Sequence, residues 1–600
     1  MSQVTEEQSR IISNIGSNNM VIAAPGSGKS FTMKKGVEAI FQKHPFAKVG
    51  MVTFTRAAAD SLASSLKKQL PPDKFNRVII NTFHGFVSRQ VKDTGWRGRL
   101  LMGNSQLAVI NRAIKQSNSG LSYEDGASVI ESIGREMNPD LIFVKHTQHQ
   151  IELFNEYQLL CKKDNVADFN ALSKYVVGQM QAEKTQPLNV THLIVDEVQD
   201  TDGCQFAWVA EHTKRGIITS IVGDDDQTIY SFRAAGGVKI FQQFDRLFRP
   251  NIFYLNTCFR CQPEILAVAD VLIKHNEARY DKPLISGKKG GGKVTLLNYL
   301  DLDTQLEQVV KMVEGEPNGW AILCRSNAHL DRLENMFSQP TLRYGGKSFW
   351  DGKDPDDILH LFTFLRHPGD VNLMKRTLSI FGENEMSLDA IAHEMHGRKV
   401  TFAGCEIPAG SNFATKSIHT HMERLTSEAT DKEECEKRIS NIGKWLQTSG
   451  MQMKNKDGGK SKAGYALESC LRWAQKQGWS KMLNIAAGMT MGPKRDKEEY
   501  TEDKIVLSTL HGSKGLEWKR VVIISFNCDQ IPSPKSIGQE MIEEERRLTY
   551  VGMTRAEQEL YLCWYGKASM FLREVYGDQL DVIECDPIMP EEEKEELFVE

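Results

Sequence analysis

The sequence AAPGSGKS, from Ala23 to Ser30, indicates the fold class, because it follows the apolar residues MVI and precedes a helical pattern. Gly26 and Gly28 let backbone N–H groups turn toward phosphate oxygens, and the N-terminus of the next helix favours negative charge. In such a loop Lys29 reaches the β- and γ-phosphates and Ser30 ligates Mg²⁺. The stretch predicts a nucleotide-binding α/β domain, and a purely structural glycine loop is the alternative.

Other short apolar runs are also followed by a turn and a helical pattern. They are AKVGMVTFTRAAADSL, NVTHLIVDEVQD and IITSIVGDDDQ, and a later series is GKVTLLNYL, GWAILCRSN and DKIVLSTLHGSKGLEWKRVVIISF. This alternation predicts parallel strands with crossover helices. The predicted fold class is α/β, with two parallel-sheet domains that are each interrupted by a mostly helical insertion.

Changes between alternating strand and helix patterns and long helical patterns predict the domain boundaries. The first α/β domain comprises residues 1–90 and 187–260, with a helical insertion at 91–186. The second comprises residues 261–378 and 501–585, with an insertion at 379–500, and residues 586–600 form an acidic tail. We expect the tail to be frayed or to bind a protein partner.

Bulk composition excludes several classes of protein. Of the 600 residues, 40% are hydrophobic and 25% are charged, which is ordinary for a globular protein. The sequence contains no run of about 18 apolar residues, so we expect no membrane-spanning helix. The polar N-terminus lacks a signal core, and the scattered cysteines suit a reducing cytoplasm. Cys258 and Cys261 have no second pair to complete a zinc site. A net charge of −4 argues against a uniformly basic nucleic-acid binder, although a local groove can still be positive.

Two further segments carry groups suited to nucleotide hydrolysis. In LIVDEVQD, Asp196 is placed to hold Mg²⁺ and Glu197 to polarise the attacking water. In VGDDDQTIYSFRAA, Gln227 is placed to contact the γ-phosphate. The alternative for the DE pair is a solvated acidic turn.

Two arginines lie far along the chain from the phosphate loop. Arg260 in TCFRC and Arg555 in GMTRA are planar bidentate donors suited to charge that develops on a phosphoryl group. We expect both to come from the second α/β domain and to reach the nucleotide, ATP, when the domains close. Taken singly, each arginine is more consistent with a surface salt bridge, and it is their combination with the other motifs that favours a role at the nucleotide.

The motifs occur in one fixed order over essentially the whole chain: Gln8, AAPGSGKS, TFTRAAA, NTFHGF, VDEVQD, GDDDQTIYSFRAA, CFRC, TLHGSKGLEW and RRLTYVGMTRA. With them the chain resembles the UvrD/Rep/PcrA family of superfamily 1 DNA helicases. The resemblance implies two RecA-like domains with helical insertions. It also implies ATP-driven 3′-to-5′ movement on single-stranded DNA, with ATP hydrolysed between the two domains.

The resemblance also implies roles for individual residues at the ATP site. Gln8 would read the adenine edge, Phe259 would stack on the base and Glu517 would contact the ribose. Arg260 and Arg555 would contact the γ-phosphate. The phosphates would lie against the loop residues Ala24, Pro25, Gly26, Ser27, Gly28, Lys29 and Ser30.

For DNA, the resemblance points to aromatic, hydroxyl and basic side chains, namely Phe54, Thr82, His84, Tyr230, Phe232, Arg233, Thr509 and His511. Aromatic faces stack on successive bases without regard to sequence, while hydroxyl and basic groups hold the backbone. The alternative for Phe54 and Phe232 is a place in the hydrophobic core. The expected partners are single-stranded DNA and its junctions with duplex, bound by a monomer or a dimer.

The sequence therefore favours an ATP-dependent DNA helicase or translocase with ATP and Mg²⁺ as cofactors. A second hypothesis is a DNA-stimulated ATPase that acts as a regulatory or effector subunit and unwinds little alone. A P-loop kinase fits poorly, because no site for an acceptor substrate is evident and TLHGSKGLEW would have no role.

Overall fold

The computed structural model describes residues 4–231, 235–316, 319–426, 429, 431–455, 458–491 and 504–577. Phe232, Arg233 and the acidic tail at 586–600 lie outside the described residues. The chain divides into two compact units. The first unit comprises Met1–Lys293 with Pro534–Gln558, and the second unit comprises Val294–Ser533 with Glu559–Glu600.

The first unit is built on a six-stranded sheet of order β3-β2-β6-β7-β1-β8, in which the neighbouring strands are parallel. Its strands are β1 Asn19–Ala23, β2 Val49–Thr53, β3 Val78–Thr82, β6 His192–Val195, β7 Ile218–Gly223 and β8 Asn251–Leu255. Two small two-stranded sheets pair β4 Arg99–Leu100 with β5 Val166–Ala167 and β9 Thr257–Cys258 with β10 Ile285–Ser286. Every strand of the main sheet except β8 ends directly before one of the predicted motifs.

Helices cover both faces of this sheet, as expected for parallel strands. They are α1 Glu6–Ser13, α2 Lys29–Lys43, α3 Arg56–Gln69, α4 Pro72–Phe75, α5 Phe83–Asp93, α10 Phe169–Gln181, α11 Gly203–Lys214, α12 Val238–Phe248 and α13 Pro263–Ile273. On one face Val37, Ile40 and Phe41 of α2 are buried. On the other face Phe241 and Phe244 of α12 are buried.

A helical segment with its own core interrupts this unit between α5 and α10. Its helices are α6 Gly103–Gln116, α7 Tyr123–Arg135, α8 Pro139–Lys145 and α9 Gln148–Lys163. Their buried apolar residues, among them Ile110, Ile130 and Leu153, form a separate cluster. A helical insertion in the first α/β domain is thus confirmed.

The second unit contains another six-stranded sheet, of order β11-β16-β15-β12-β14-β13. Its strands are β11 Lys293–Tyr299, β12 Trp320–Cys324, β13 Leu342–Tyr344, β14 Val506–Thr509, β15 Trp518–Ile523 and β16 Ala556–Tyr565. Strand β12 runs parallel to β14 and β15, and β13 runs parallel to β14. The predicted α/β class with two parallel-strand sheets is therefore confirmed.

The second unit also contains helices that flank its sheet and helices that form a core of their own. They are α14 Leu302–Gly315, α15 Asn327–Met336, α16 Lys353–Arg366, α17 Val371–Ile380, α18 Glu385–Arg398, α19 Phe413–Thr426, α20 Lys432–Thr448, α21 Lys462–Gln477, α22 Trp479–Met491 and α24 Met570–Tyr576. The helical core buries Phe362, Trp473 and Trp479 completely or almost completely. In the described part of the chain, no helix combines the length and apolar character that crossing a membrane requires.

Helix α23, Gln539–Met553, lies with the first unit, whereas the sequence analysis assigned its segment to the second α/β domain. Polar contacts explain the difference. The backbone N–H of Glu277 donates to the Glu543 carboxylate at 3.0 Å, and the Asn276 side chain donates to the Glu543 carbonyl at 3.0 Å. Arg546 in turn donates to the Asn276 side chain. These contacts hold α23 against the end of α13.

Candidate functional site

The loop between β1 and α2 has the backbone geometry of a phosphate-binding loop. Gly26 has φ +61° and Gly28 has φ +79°, values that L-residues rarely adopt. Gly26 is also closely packed, because a Cβ atom there would lie 2.5 Å from Cβ of Arg260. Ala24, Pro25 and Ser27 are buried, and Ser30 is exposed in the first turn of α2.

The loop fits a phosphate group. The Ser27 Oγ atom is buried without a hydrogen-bond partner among the described residues, so it is available to an oxygen-rich ligand. The hydroxyl of Ser30 and the carboxylate of Asp196 are oxygen donors of the kind that Mg²⁺ prefers. The residues present therefore fit both ATP and Mg²⁺.

Gly26→Ala is expected to lower ATP turnover at least about tenfold, because the new methyl group collides with Arg260 at a strained φ that costs about 1–3 kcal/mol. The measurement is steady-state ATPase activity together with thermal unfolding. Gly36→Ala is the matched control, since a Cβ atom there meets nothing within 4 Å and φ is not positive. That control should keep full activity, and equal losses in the two variants would contradict the role of Gly26.

Lys29 and the two acidic residues after β6 meet at the loop. The Lys29 Nζ atom donates to both carboxylate oxygens of Glu197, at 3.1 Å each. The backbone N–H of Glu197 donates to the Asp196 carboxylate at 3.0 Å, and Glu197 itself has a left-handed φ of +50°. A non-glycine residue in this conformation stores strain, which is common at functional sites.

Burial and charge shift the pKa values of this group. Burial raises the pKa of Asp196, and the neighbouring Glu197 carboxylate raises it further. Burial lowers the pKa of Lys29, but the carboxylates of Glu197, Asp196 and Asp224 outweigh burial, so the net pKa of Lys29 is raised. Lys29 is therefore a permanent cation that faces two acidic groups.

Gln8 lies against the same loop, although it comes from the first helix. A capping box with Thr5 begins α1 and places Gln8 in its first turn. The buried Gln8 side chain donates from Nε2 to the carbonyl of Ser27 at 3.4 Å. The predicted adenine-reading residue is thus in contact with the phosphate loop.

Phe259 and Arg260 approach the loop from the end of β9. The backbone N–H of Phe259 donates to the carbonyl of Gly26 at 2.9 Å, and the Phe259 side chain is 43% exposed. An exposed ring beside a phosphate loop is suited to stacking on a base. The Arg260 guanidinium donates from Nη1 to the carbonyl of Thr554 at 3.3 Å.

Arg555 follows α23 and is only 1% exposed. Its Nη2 atom donates to the side-chain oxygen of Gln227 at 3.2 Å, and its Nε atom donates to the carbonyl of Val551 at 2.8 Å. Both arginines therefore lie in the first unit, whereas we expected them to come from the second α/β domain. For Arg555 the physical reason is the packing of α23 on the first unit, and Arg260 belongs to the continuous segment Met1–Lys293 of that unit.

A buried charge cluster, which sequence reasoning missed, lies next to Gln227. Asp224, Asp225 and Asp226 are at most 1% exposed. Lys282 contacts all three carboxylates, and Arg279 forms a bidentate pair with Asp226 at 2.9 and 2.8 Å. Three consecutive acidic residues directly after a predicted strand could have indicated this cluster, because carboxylates that become buried need cationic partners.

The predicted DNA-contacting residues of the first unit lie at the carboxyl ends of its strands. Phe54 follows β2, and its ring stacks on Tyr230 with 5.7 Å between centroids and 11° between planes. Thr82 caps α5 by accepting the N–H of Gly85, and the His84 ring stacks on Phe169 at 4.2 Å. Phe54 and Tyr230 are half-buried, so Phe54 is not a fully buried core residue.

Three further predicted residues lie in the second unit, near the ends of β14 and β15. Thr509 ends β14, and its hydroxyl accepts the N–H of Gly512 at 3.0 Å. His511 follows in the turn, and Glu517 is exposed directly before β15. The roles of Thr509 and His511 toward DNA, and of Glu517 toward the ribose, stay predictions.

Comparison with known proteins gives matches along the chain. Residues 4–249 match the UvrD/REP helicase N-terminal domain, and residues 410–567 match the UvrD-like helicase C-terminal domain. ATP-dependent DNA helicase PcrA of Bacillus subtilis is 25% identical over 94% of this chain and 84% of its own length. DNA helicase II of Escherichia coli is 24% identical over 96% of this chain and 86% of its own length. ATP-dependent DNA helicase srs2 of Schizosaccharomyces pombe is 24% identical over 100% of this chain and 75% of its own length.

Proposed function

Since the chain belongs to the UvrD/Rep/PcrA-like helicases, we propose that it is an ATP-dependent DNA helicase that moves 3′ to 5′ on single-stranded DNA and unwinds duplex. We further propose that helical insertions at 91–186 and 379–500 interrupt the two α/β domains, whereas the segment that contains α23 belongs to the first unit. We also propose that the protein acts on DNA in the cytoplasm.

One observation carries this proposal: catalytic groups from distant parts of the chain lie together around one phosphate loop. Arg260 packs on Gly26 and contacts Thr554, and Arg555 contacts Gln227. Lys29 and Glu197 form an ion pair at the same loop. Such a set is suited to phosphoryl transfer, where positioning and electrostatic stabilisation supply most of the catalysis.

We assign the following roles to these side chains. The backbone N–H groups of the loop and Lys29 bind phosphate oxygens, and Ser30 and Asp196 hold Mg²⁺, which neutralises charge on the phosphates when bound. Phosphate oxygens compete with Glu197 for Lys29, and the released Glu197 carboxylate then orients the attacking water. Arg260 and Arg555 stabilise the charge that develops on the transferred group.

The test is single-strand-stimulated ATPase activity followed by strand displacement on duplexes with either a 3′ or a 5′ tail. We expect DNA to stimulate hydrolysis and the 3′-tailed duplex to be unwound preferentially. ATP hydrolysis without displacement of either substrate would favour the regulatory or effector subunit. Preference for the 5′ tail would overturn the proposed polarity.

Phe54→Ala is expected to weaken single-strand binding about 5- to 150-fold, because stacking is worth about 1–3 kcal/mol per base. Unwinding should fall more than ATP turnover at saturating DNA, and fluorescence anisotropy with a labelled oligonucleotide measures the affinity. Phe46→Ala is the control, since Phe46 is 90% exposed and precedes the start of β2, whereas Phe54 follows its carboxyl end. Unchanged affinity in Phe54→Ala would assign the ring to packing alone. Phe232, outside the described residues, stays a predicted stacking residue.

A further inference from the structure

Lys282 is a fully buried cation with an unusual set of partners. Its side chain is 0% exposed, and its Nζ atom lies 3.1 Å from Oδ1 of Asp224, 2.8 Å from Oδ2 of Asp226 and in contact with Asp225. A buried charge is costly unless it is paired. The three carboxylates and Lys282 therefore depend on one another.

Asp224 connects this cluster to the ATP site. Its Oδ1 atom faces Lys282 and also accepts the backbone N–H of Asp226 at 3.2 Å. Its Oδ2 atom accepts a hydrogen bond from Nε2 of Gln227 at 2.7 Å. Both oxygens are thus engaged, and the Gln227 amide is held with its nitrogen toward Asp224.

The orientation of the Gln227 amide determines what it offers to Arg555. With Nε2 directed at Asp224, the Oε1 atom accepts from the Arg555 guanidinium at 3.2 Å. If the Gln227 amide were reversed, its N–H group would face the Arg555 guanidinium, and the two hydrogen-bond donors would repel each other. The amide orientation that Asp224 fixes therefore determines one of the contacts that hold Arg555, beside the one to the carbonyl of Val551.

We propose that Lys282 is a positioning residue for ATP hydrolysis, which acts through Asp224 to orient Gln227 and thereby Arg555. This inference rests on the proposed function, in which Gln227 and Arg555 act on ATP. Lys282 itself touches neither of them in the contacts described above, so its effect is on the turnover rate and not on binding.

The chain offers a matched control in Arg279. This second cation of the cluster pairs with Asp226 and has no contact with Asp224 among its described ion pairs. Lys282→Met and Arg279→Met each remove one positive charge from the same buried cluster. A purely structural role predicts that any loss of kcat follows the loss of stability in both variants, whereas positioning through Asp224 predicts a loss of kcat in Lys282→Met alone.

The experiment measures kcat and KM for single-strand-stimulated ATP hydrolysis, together with thermal unfolding and single-strand affinity. Lys282→Met is expected to lower kcat about 10- to 100-fold, as loss of a supporting residue typically does, with KM and DNA affinity little changed. Arg279→Met should lower the unfolding temperature while kcat stays near wild type. Asp224→Asn should lower kcat like Lys282→Met, and the double variant should be no worse than either, because the two residues act in series.

Equal losses of kcat in Lys282→Met and Arg279→Met, or multiplying losses in the double variant, would overturn the inference. If Lys282→Met does not fold, Lys282→Arg decides the question, because a planar guanidinium cannot take the place of an ammonium that contacts three carboxylates. A fall in kcat at constant KM in Lys282→Arg supports the inference, whereas wild-type kcat in Lys282→Arg or in Asp224→Asn overturns it. Wild-type protein that shows no DNA-stimulated hydrolysis would instead overturn the proposed function.

Discussion

Lys29→Ala is expected to lower ATP hydrolysis at least about 100- to 1,000-fold, the usual cost of removing one donor that stabilises transition-state charge. The reason is that the Lys29 ammonium is the cation at the start of α2, paired with Glu197 at 3.1 Å and placed beside the loop in which Gly26 and Gly28 have positive φ. Single-strand binding should persist, because the residues that are predicted to contact DNA lie at other strand ends. The measurement combines ATPase activity with oligonucleotide binding.

The control for this prediction is Lys35→Ala on the same helix. Lys35 pairs with Glu38 on the surface of α2 and should contribute little to stability or activity. A Lys29→Ala protein that hydrolyses ATP at the wild-type rate would refute the assignment of the loop. Loss of both activities with a lowered unfolding temperature would show instead that the Lys29–Glu197 pair supports folding.

The fold could be predicted from the sequence because its signals are local. A strand such as β1 and the helix after it are specified by an apolar run, a glycine turn and a helical pattern within about 25 residues. Motif residues directly after strands must lie at the carboxyl edge of a parallel sheet. The sequence alone therefore places Asp196 and Phe54 near this edge.

The position of Arg555 could not be predicted in the same way, because it depends on packing between distant segments. Helix α23 is held by Asn276 and Glu277, which carry no motif and lie far from it in sequence. The burial of Lys282 could not be predicted for the same reason, because its neighbours in the sequence YDKP do not distinguish a buried lysine from an exposed one. Only the fold reveals that it is buried among three carboxylates.

Arg555→Lys is expected to lower kcat for ATP hydrolysis about 1,000-fold or more, the range found for arginines that complete phosphoryl-transfer sites. Lysine keeps the positive charge but lacks the planar fork. Arg555 uses that fork to donate from Nε to Val551 and from Nη2 to Gln227 at the same time. A single ammonium cannot hold both partners and also reach a phosphate, so ATP should bind but turn over slowly.

Arg546→Lys separates this effect from the general cost of altering a buried guanidinium on α23. Arg546 is 5% exposed, close to the burial of Arg555, and it contacts Asn276. Both variants should lower the unfolding temperature to a similar extent, but only Arg555→Lys should lose turnover while it still binds a fluorescent ATP analogue. If Arg546→Lys loses as much turnover as Arg555→Lys, the guanidinium at 555 supports the packing of α23 and takes no part in hydrolysis.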